Sequence, residues 1–500
     1  MLDVLKRLRR STASGEASVA PPVEYRLVEW TFLKLLGFIY FAAFVSFGVQ
    51  AQGLIGSGGI LPVAGYLGQA AAYFGGSRYW TVPTILWFGA SDAAIRAMWI
   101  AGAVAAIAIA AGVFTRAALL IAFILYLSIV SGGQDFMSFQ WDLLLLEAGF
   151  LSIFIGYSRV VVWLFRWLVF RLMFLSGAVK LLSGDQAWRA LTALGFHYQT
   201  QPLPTPLAWV MSGFPMWFHR WEAAFVFVIE LIAPFLIFTT RKLRFVAAFS
   251  LIALQVLIFL TGNYAFFNLL SIALCVFLFD DTALRRVLPE RLRAFALLAE
   301  EVSGRSLMVR RTLAGSLALV LVLLSGSAMI LTLFGTLPGT ARTAMTLASP
   351  FGIANSYGLF AVMTTTRPEI IVEGSDDGAN WKPYEFKYKP GNIYRGLPFV
   401  APHQPRLDWQ MWFAALGTYR ENPWFVNFEA RLLQGSPSVL KLLAYNPFPA
   451  KPPRFVRAQI YDYRFTDWET RRRTGAVWRR ELMGTYLRPI SLDDLTSASR

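Results

Sequence analysis

The residues of this chain that could do chemistry are ionisable groups standing among apolar ones. Lys180 closes the apolar run that begins near Val160. A lysine turned into a low-dielectric interior loses solvation, and its lowered pKa lets it act as a base. The default reading is different. Its stem lies in lipid with the ammonium among headgroups, or the ammonium sits in a structural ion pair. Asp135, Asp142 and Glu147 cluster at the start of another apolar segment, Glu222 and Glu230 stand in a later one, and Arg166 and Arg171 precede Lys180. Carboxylates inside a membrane face either a partner or a cavity. These groups therefore fix helix packing as salt bridges or line a functional cavity. His197 has no second histidine at metal-ligand spacing, and His219 and His403 are distant. It reads as a hydrogen-bonded structural histidine, and as catalytic only beside Lys180. Asn263 should cap the helix that follows it, and Asn268 should find a partner inside the membrane. The single cysteine, Cys275, excludes an intrachain disulfide and a cysteine metal site. There is no glycine-rich phosphate loop and no Gly-x-Ser-x-Gly elbow, and Gly56-Ser57-Gly58-Gly59 reads as a flexible turn. No metal or cofactor is implied.

These groups need elements to hold them. The chain has 500 residues, 56% hydrophobic and only 15% charged, against about 25% charged in soluble domains. The deficit lies before residue 335. Segments 31–50, 96–114, 116–131, 141–157, 160–179, 221–239, 244–261, 264–280 and 313–334 read as spans, about nine crossings of about 20 residues each. The stretch 60–90 reads as interfacial or re-entrant helix. The net charge of +16 does not point to nucleic acid. Its basic residues gather beside apolar runs: Lys6, Arg7, Arg9, Arg10; Arg241, Lys242, Arg244; Arg285, Arg286, Arg291, Arg293; Arg305, Arg310, Arg311. That is the pattern of cytoplasmic loops beside anionic lipid. With the basic segment 1–30 inside and about nine crossings, every basic cluster falls inside, and the domain after residue 335 falls outside. Glu24 and Glu29 and the late start of the apolar run argue against a removable signal peptide, although Val49-Gln50-Ala51 faintly resembles a cleavage site.

The expected fold is thus a polytopic α-helical membrane bundle, 31–335, with a structured exterior segment at 180–220. An exterior β-sandwich-like domain with helical insertions, 349–484, follows, and the tail 485–500 should fray. In that domain Glu369–Glu373, Tyr384–Lys389 and Phe455–Phe465 read as strands, the first two around the turn Gly374–Gly378. Asp408–Leu416 and Pro423–Gln434 read as helices, and Ser436 with Pro437 opens another. Most of Trp409, Trp412, Phe413, Trp424 and Phe425 should be buried, and any left exposed would suit a partly folded client.

Several stretches carry a resemblance. They are Asp135–Asp142 leading to Glu147, Arg171–Lys180 with Gly184-Asp185 and Trp188-Arg189, His197–Pro204, Gly262–Asn268, Glu373–Trp381, Pro402–Phe413 and Glu421–Phe425. In this order the chain closely resembles the lipase maturation factor family. The resemblance implies a membrane chaperone, in animals of the endoplasmic reticulum, that helps secreted lipases mature. Short loops and a cysteine-free outer face suggest a bacterial setting, with a periplasmic outer face and a client that need not be a lipase. The residues Asp135, Gln140, Trp141, Asp142, Trp188, His197, Tyr264, Asn268, Trp409 and Trp412 become candidates for client or ligand binding. The lipid bilayer and a secreted client are the expected partners. A more distant likeness, to the transmembrane part of vitamin K-dependent γ-carboxylases, rests on Gly177-Ala178-Val179-Lys180. It implies the competing reading, an intramembrane enzyme with Lys180 as base. A transporter fits less well, because the hydropathy shows no inverted repeat.

Overall fold

The computed structural model of the protein describes residues 25–296 and 305–498. The basic cluster Lys6–Arg10 lies outside them. Helices dominate the first part, as hydrocarbon requires: a backbone there must satisfy its hydrogen bonds locally. The helices used below are α1 Arg26–Gly48, α2 Asp92–Ala111, α3 Thr115–Gly132, α4 Gln140–Ser152, α5 Arg159–Leu182, α6 Ala193–Thr200, α7 Met216–Phe227, α8 Arg241–Thr261, α9 Phe267–Cys275, α10 Arg305–Phe334, α11 Arg406–Ala415 and α12 Pro423–Leu433. Six of them, α1, α2, α3, α5, α8 and α10, are long and apolar enough to cross a membrane. A seventh candidate is the pair Phe267–Leu278 and Asp281–Val287, bent by 118°. The expected count of about nine is therefore not reached by length and composition. Segment 141–157 holds only the 13-residue α4. Segment 221–239 is interrupted by a π-helical turn, Val228–Ile232. Stretch 60–90 forms short helices, Val63–Phe74, Arg78–Thr81 and Ile85–Phe88.

Local signals place the ends. Ser91 caps α2 by accepting from the Ala94 amide, and Gly112 ends it at φ 83, in the left-handed region that glycine adopts without strain. Ser158 caps α5. Helices α1 and α2 pack closely, since a Cβ at Gly102 would lie 2.2 Å from the Phe44 ring. Helix α5 is the central one, with 78% of its apolar window buried. Helix α10 has only 17% buried, so most of its surface faces outward.

The C-terminal region contains a four-stranded antiparallel sheet, in which Lys382–Pro383, Pro368–Ser375, Phe455–Phe465 and Trp478–Ile490 lie side by side in that order, and a two-stranded sheet of Glu385–Phe386 and Leu443–Tyr445. The strands are β1 Pro368–Ser375, β2 Lys382–Pro383, β3 Glu385–Phe386, β4 Leu443–Tyr445, β5 Phe455–Phe465 and β6 Trp478–Ile490. The third expected strand coincides with β5. The expected strand Tyr384–Lys389 shrinks to β3, which pairs with β4 rather than β1. The tail is corrected: residues 485–490 belong to β6 and Leu492–Ala498 is helical, held by thirteen residues of edge strand. Ser436 does precede a helix, Pro437–Leu440, but its hydroxyl donates to the Gly58 carbonyl at 2.7 Å instead of capping.

The bundle and the C-terminal region share one contiguous apolar core. The C-terminal region meets the bundle at the C-terminal ends of α1 and α8 and at the N-terminal end of α4. Those helix ends therefore form one face.

Candidate functional site

The candidate residues converge on that face. Helix α4 begins there with Trp141 and Asp142. The Asp142 carboxylate accepts from the Tyr126 hydroxyl at 2.5 Å and from both terminal nitrogens of Arg406 at 2.9 Å. Arg406 also donates to the Phe136 carbonyl at 2.7 Å. Both charges are fully buried, at 0% exposure. Around this pair Gln50 and Ser46, at the end of α1, bind the backbone of Gln404 and Arg406. Trp141 donates to the Gln404 side chain at 2.6 Å. Trp141 stacks on Phe139 at 4.7 Å, and Trp409 meets it edge-on at 4.8 Å.

A second node lies on the same helix, one turn further in. Glu147 forms an ion pair with Arg171 of α5 and accepts from the Tyr357 hydroxyl at 2.7 Å and from the Asn355 amide at 3.1 Å. Gln140 brackets the Gly358 peptide from both sides. The connection to the C-terminal region is thereby tied to the bundle.

The third node is built on Lys180. Its ammonium is buried, donating to Glu230 at 2.7 Å and to the Ser176 carbonyl at 2.9 Å, with the Trp188 ring at 5.3 Å. Lys180 therefore does not snorkel into lipid. Glu230 stands in the π-helical turn, a distortion often found where a side chain must be re-aimed. In the segment that follows α5, His197 lies 3.2 Å from the Tyr264 hydroxyl, which donates to Gln201 at 2.8 Å. Burial, helped by the Lys180 charge, pulls the His197 pKa from 6.5 to about 4. Burial, with Arg406 and Lys387 nearby, does the same to His403. Both are neutral in the folded protein.

The sign of the consequence follows. The unfolded histidines take up protons near pH 6.5 while the folded ones do not, so stability is lost as pH falls from 6.5 through about 4. The expected result is a melting temperature that drops across that window. Replacing His197 and His403 by glutamine should flatten the drop.

The remaining candidates are placed as follows. Trp188 is buried and donates to the Phe360 carbonyl at 2.9 Å. Trp412 is buried and donates to the Thr200 carbonyl at 2.9 Å. Tyr264 and Trp409 are buried against each other. Asn268 lies deep in the bundle and donates to Gln255 at 2.8 Å. Asp135 is exposed, and its carbonyl accepts from the Gln410 side chain. Phe413 is 42% exposed, while Trp424 and Phe425 are buried. Glu222 pairs with His219 at 2.7 Å rather than with Arg166 or Arg171. Arg166 instead donates to the Phe277 carbonyl at 2.9 Å. Asn263 is no helix cap. Its amide donates to the Leu203 and Pro398 carbonyls, and its oxygen accepts from the Val400 and Ala401 amides. Asn263→Ala strands the Pro398 carbonyl and the Val400 and Ala401 amides, while the Leu203 carbonyl keeps the Asn263 backbone amide, and is expected to cost about 1–3 kcal/mol, measured as a lowered melting temperature in detergent.

Residues that sequence reasoning passed over complete the junction. Arg406 sits inside the recognised stretch Pro402–Phe413, yet nothing in its neighbours names Asp142 as its partner. Arg367, also fully buried, donates to the Gln199, Gln201 and Pro202 carbonyls and to Glu369 at 2.7 Å. Lys389 shares Glu369 at 3.0 Å. The signal available was the presence of arginine within apolar surroundings, which implies a partner but not which one. Among the described residues no three His, Cys, Asp or Glu come together as a metal site. What this arrangement can do chemically is hold. Asp142, Glu147, Lys180 and Arg406 are each spent on an internal partner.

Comparison with known proteins agrees with this architecture in two segments. Residues 27–286 match the family model described as lipase maturation factor transmembrane domain. Residues 353–488 match the lipase maturation factor C-terminal domain. Lipase maturation factor 1 of Bos taurus is 36% identical to this chain, over 98% of the chain and 96% of that protein. Lipase maturation factor 1 of Homo sapiens is 34% identical over 93% of the chain and 88% of its own length. Lipase maturation factor 2 of Gallus gallus is 35% identical over 93% and 81%. No solved structure matches. A bundle and a C-terminal region joined by these nodes, matched end to end by such relatives, place this multi-pass membrane chain in the lipase maturation factor family.

Proposed function

We propose that the protein is a membrane-anchored maturation factor that holds secreted clients, of lipase type, while they reach their active form. The observation that carries this reading is the edge strand β6. It runs thirteen residues at the border of the four-stranded sheet. Leu482 and Met483 on it are 57% and 58% exposed. A long edge strand offers unpaired backbone groups to an incoming strand, and its apolar side chains add contact. The junction residues that the sequence marked, from Asp135 to Trp412, act in this reading as the mount that keeps the sheet in a set relation to the membrane.

The orientation follows the charge pattern. The N-terminus is cytoplasmic and the C-terminal domain exterior: periplasmic in a bacterial inner membrane, lumenal in an endoplasmic reticulum. Nine crossings give that parity, with the shorter segments 140–152 and 216–236 also passing from one side to the other, and the grouping of alternate helix ends on one face supports it.

Deleting the chain should lower the specific activity of a secreted lipase without lowering its synthesis. Unchanged specific activity would overturn the proposal. The double substitution Leu482→Glu with Met483→Glu should leave the factor folded but reduce client activity and crosslinking from β6. The competing reading, Lys180 as a base, has less support. A base needs a neutral amine, and this ammonium is paired with Glu230 at 2.7 Å.

A further inference from the structure

At the end of the bundle away from the C-terminal domain lies a cleft of about 1190 Å³. Its walls are the start of α1, the end of α2, the start of α3, the residues after α4 and the start of α10. Four cations line it: Arg26, Lys34, Arg116 and Arg310, against one acid, Glu29. Among the described residues none of the four forms an ion pair. Arg116 and Arg310 gather at one ring, their guanidinium groups 4.8 and 5.6 Å from the centre of Tyr157. Two cations near one ring, with no carboxylate paired to either, favour an anion between or beside them. The Lys34 ammonium lies close against Gly112 at the end of α2, 2.8 Å from where a Cβ would stand.

The rest of the lining is mostly apolar, including Ile109, Leu119 and the strongly exposed Phe114, with the hydroxyls of Thr115 and Ser152 among them. A cationic mouth above an apolar wall, between membrane helices, matches an amphiphile with an anionic head. We infer that this cleft binds the phosphate-bearing headgroup of an acidic phospholipid. Arg116 and Arg310 fork onto the phosphate oxygens, Lys34 supplies a third contact, and the acyl chains lie against the apolar wall. The reading is independent of the client-holding role, because the cleft lies at the opposite end of the bundle from β6.

The test uses the full chain in nanodiscs of phosphatidylcholine with or without phosphatidylglycerol. Lipid carried through exchange into detergent is identified by mass spectrometry. The wild type should retain phosphatidylglycerol over phosphatidylcholine. R116Q/R310Q should weaken that retention about 30-fold, equivalent to about 2 kcal/mol for two interfacial cations. R116K/R310K keeps the charge and should keep most of the retention, which separates lost binding from lost folding. Equal retention by wild type and R116Q/R310Q, or no preference for the acidic lipid, would overturn the proposal. A separate arm adds inorganic phosphate to the chain in phosphatidylcholine alone. Displacement of retained phosphatidylglycerol, when the same phosphate is added to the phosphatidylglycerol nanodiscs, supports the shared phosphate chemistry. A phosphate-dependent rise in melting temperature without any acidic-lipid retention would overturn the lipid as its source.

Discussion

Replacing Arg406 by methionine is expected to detach the C-terminal domain from the bundle. The guanidinium holds the Asp142 carboxylate with two hydrogen bonds and the Phe136 carbonyl with a third. Methionine fills much of the same volume but leaves Asp142 charged, buried and facing a thioether. Removing one partner of a buried ion pair costs about 3–5 kcal/mol, because the other charge cannot recover its solvation. The loss falls on the interface rather than within either part, since Arg406 and Asp142 lie on different sides of it. The expected readout is faster proteolysis between residues 335 and 353 and a lower melting temperature in detergent. The double variant, Arg406→Met with Asp142→Leu, should recover much of the loss, because a buried pair replaced by apolar groups is often close to neutral. Failure of the double variant to recover would show that the hydrogen bonds to Tyr126 and Phe136 matter more than the charge balance.

Glu147→Ala is expected to be of similar severity, about 3–5 kcal/mol, with a different signature. Glu147 anchors Arg171, the Tyr357 hydroxyl and the Asn355 amide at once. Its loss leaves a buried guanidinium at 2% exposure without its anion, in the middle of the most buried of the candidate spans. The damage should therefore spread into the bundle, lowering the yield of folded protein in membranes. Glu147→Gln keeps hydrogen-bonding capacity toward Tyr357 and Asn355 and should fall between wild type and alanine. If glutamine and alanine are equally harmful, the charge on Arg171 dominates. If glutamine is harmless, the hydrogen bonds do.

Particular elements show what could be read along the chain. The apolar runs of α1, α2, α3, α5, α8 and α10 were visible because a membrane helix satisfies its backbone within itself. Strand β5 was visible through its alternating side chains. Strand β6 was missed because Arg479, Arg480, Glu481 and Arg488 interrupt its apolar pattern, as expected of an exposed edge strand that packs little on either face. The composition of helix α4 is apolar and by itself reads as a span. The helix is short because its N-terminal turn belongs to the junction.

The aromatic residues illustrate the same divide. Trp188, Trp409 and Trp412 were candidates for client contact, and each is buried with its neighbours. A tryptophan's type does not say whether it faces a partner or its own domain.

The sequence by itself determined that this is a multi-pass membrane chain with a C-terminal domain, which family it resembles, and that its buried charges need partners. The tertiary structure alone decided who those partners are. Arg406 finds Asp142 across 264 positions, Tyr357 finds Glu147 across 210, and Lys180 finds Glu230 across 50. The physical reason is one of range. Helix formation and hydropathy act between near neighbours and are written locally. The pairing of desolvated charges depends on which segments packing brings within 3 Å or so, and no local pattern encodes that.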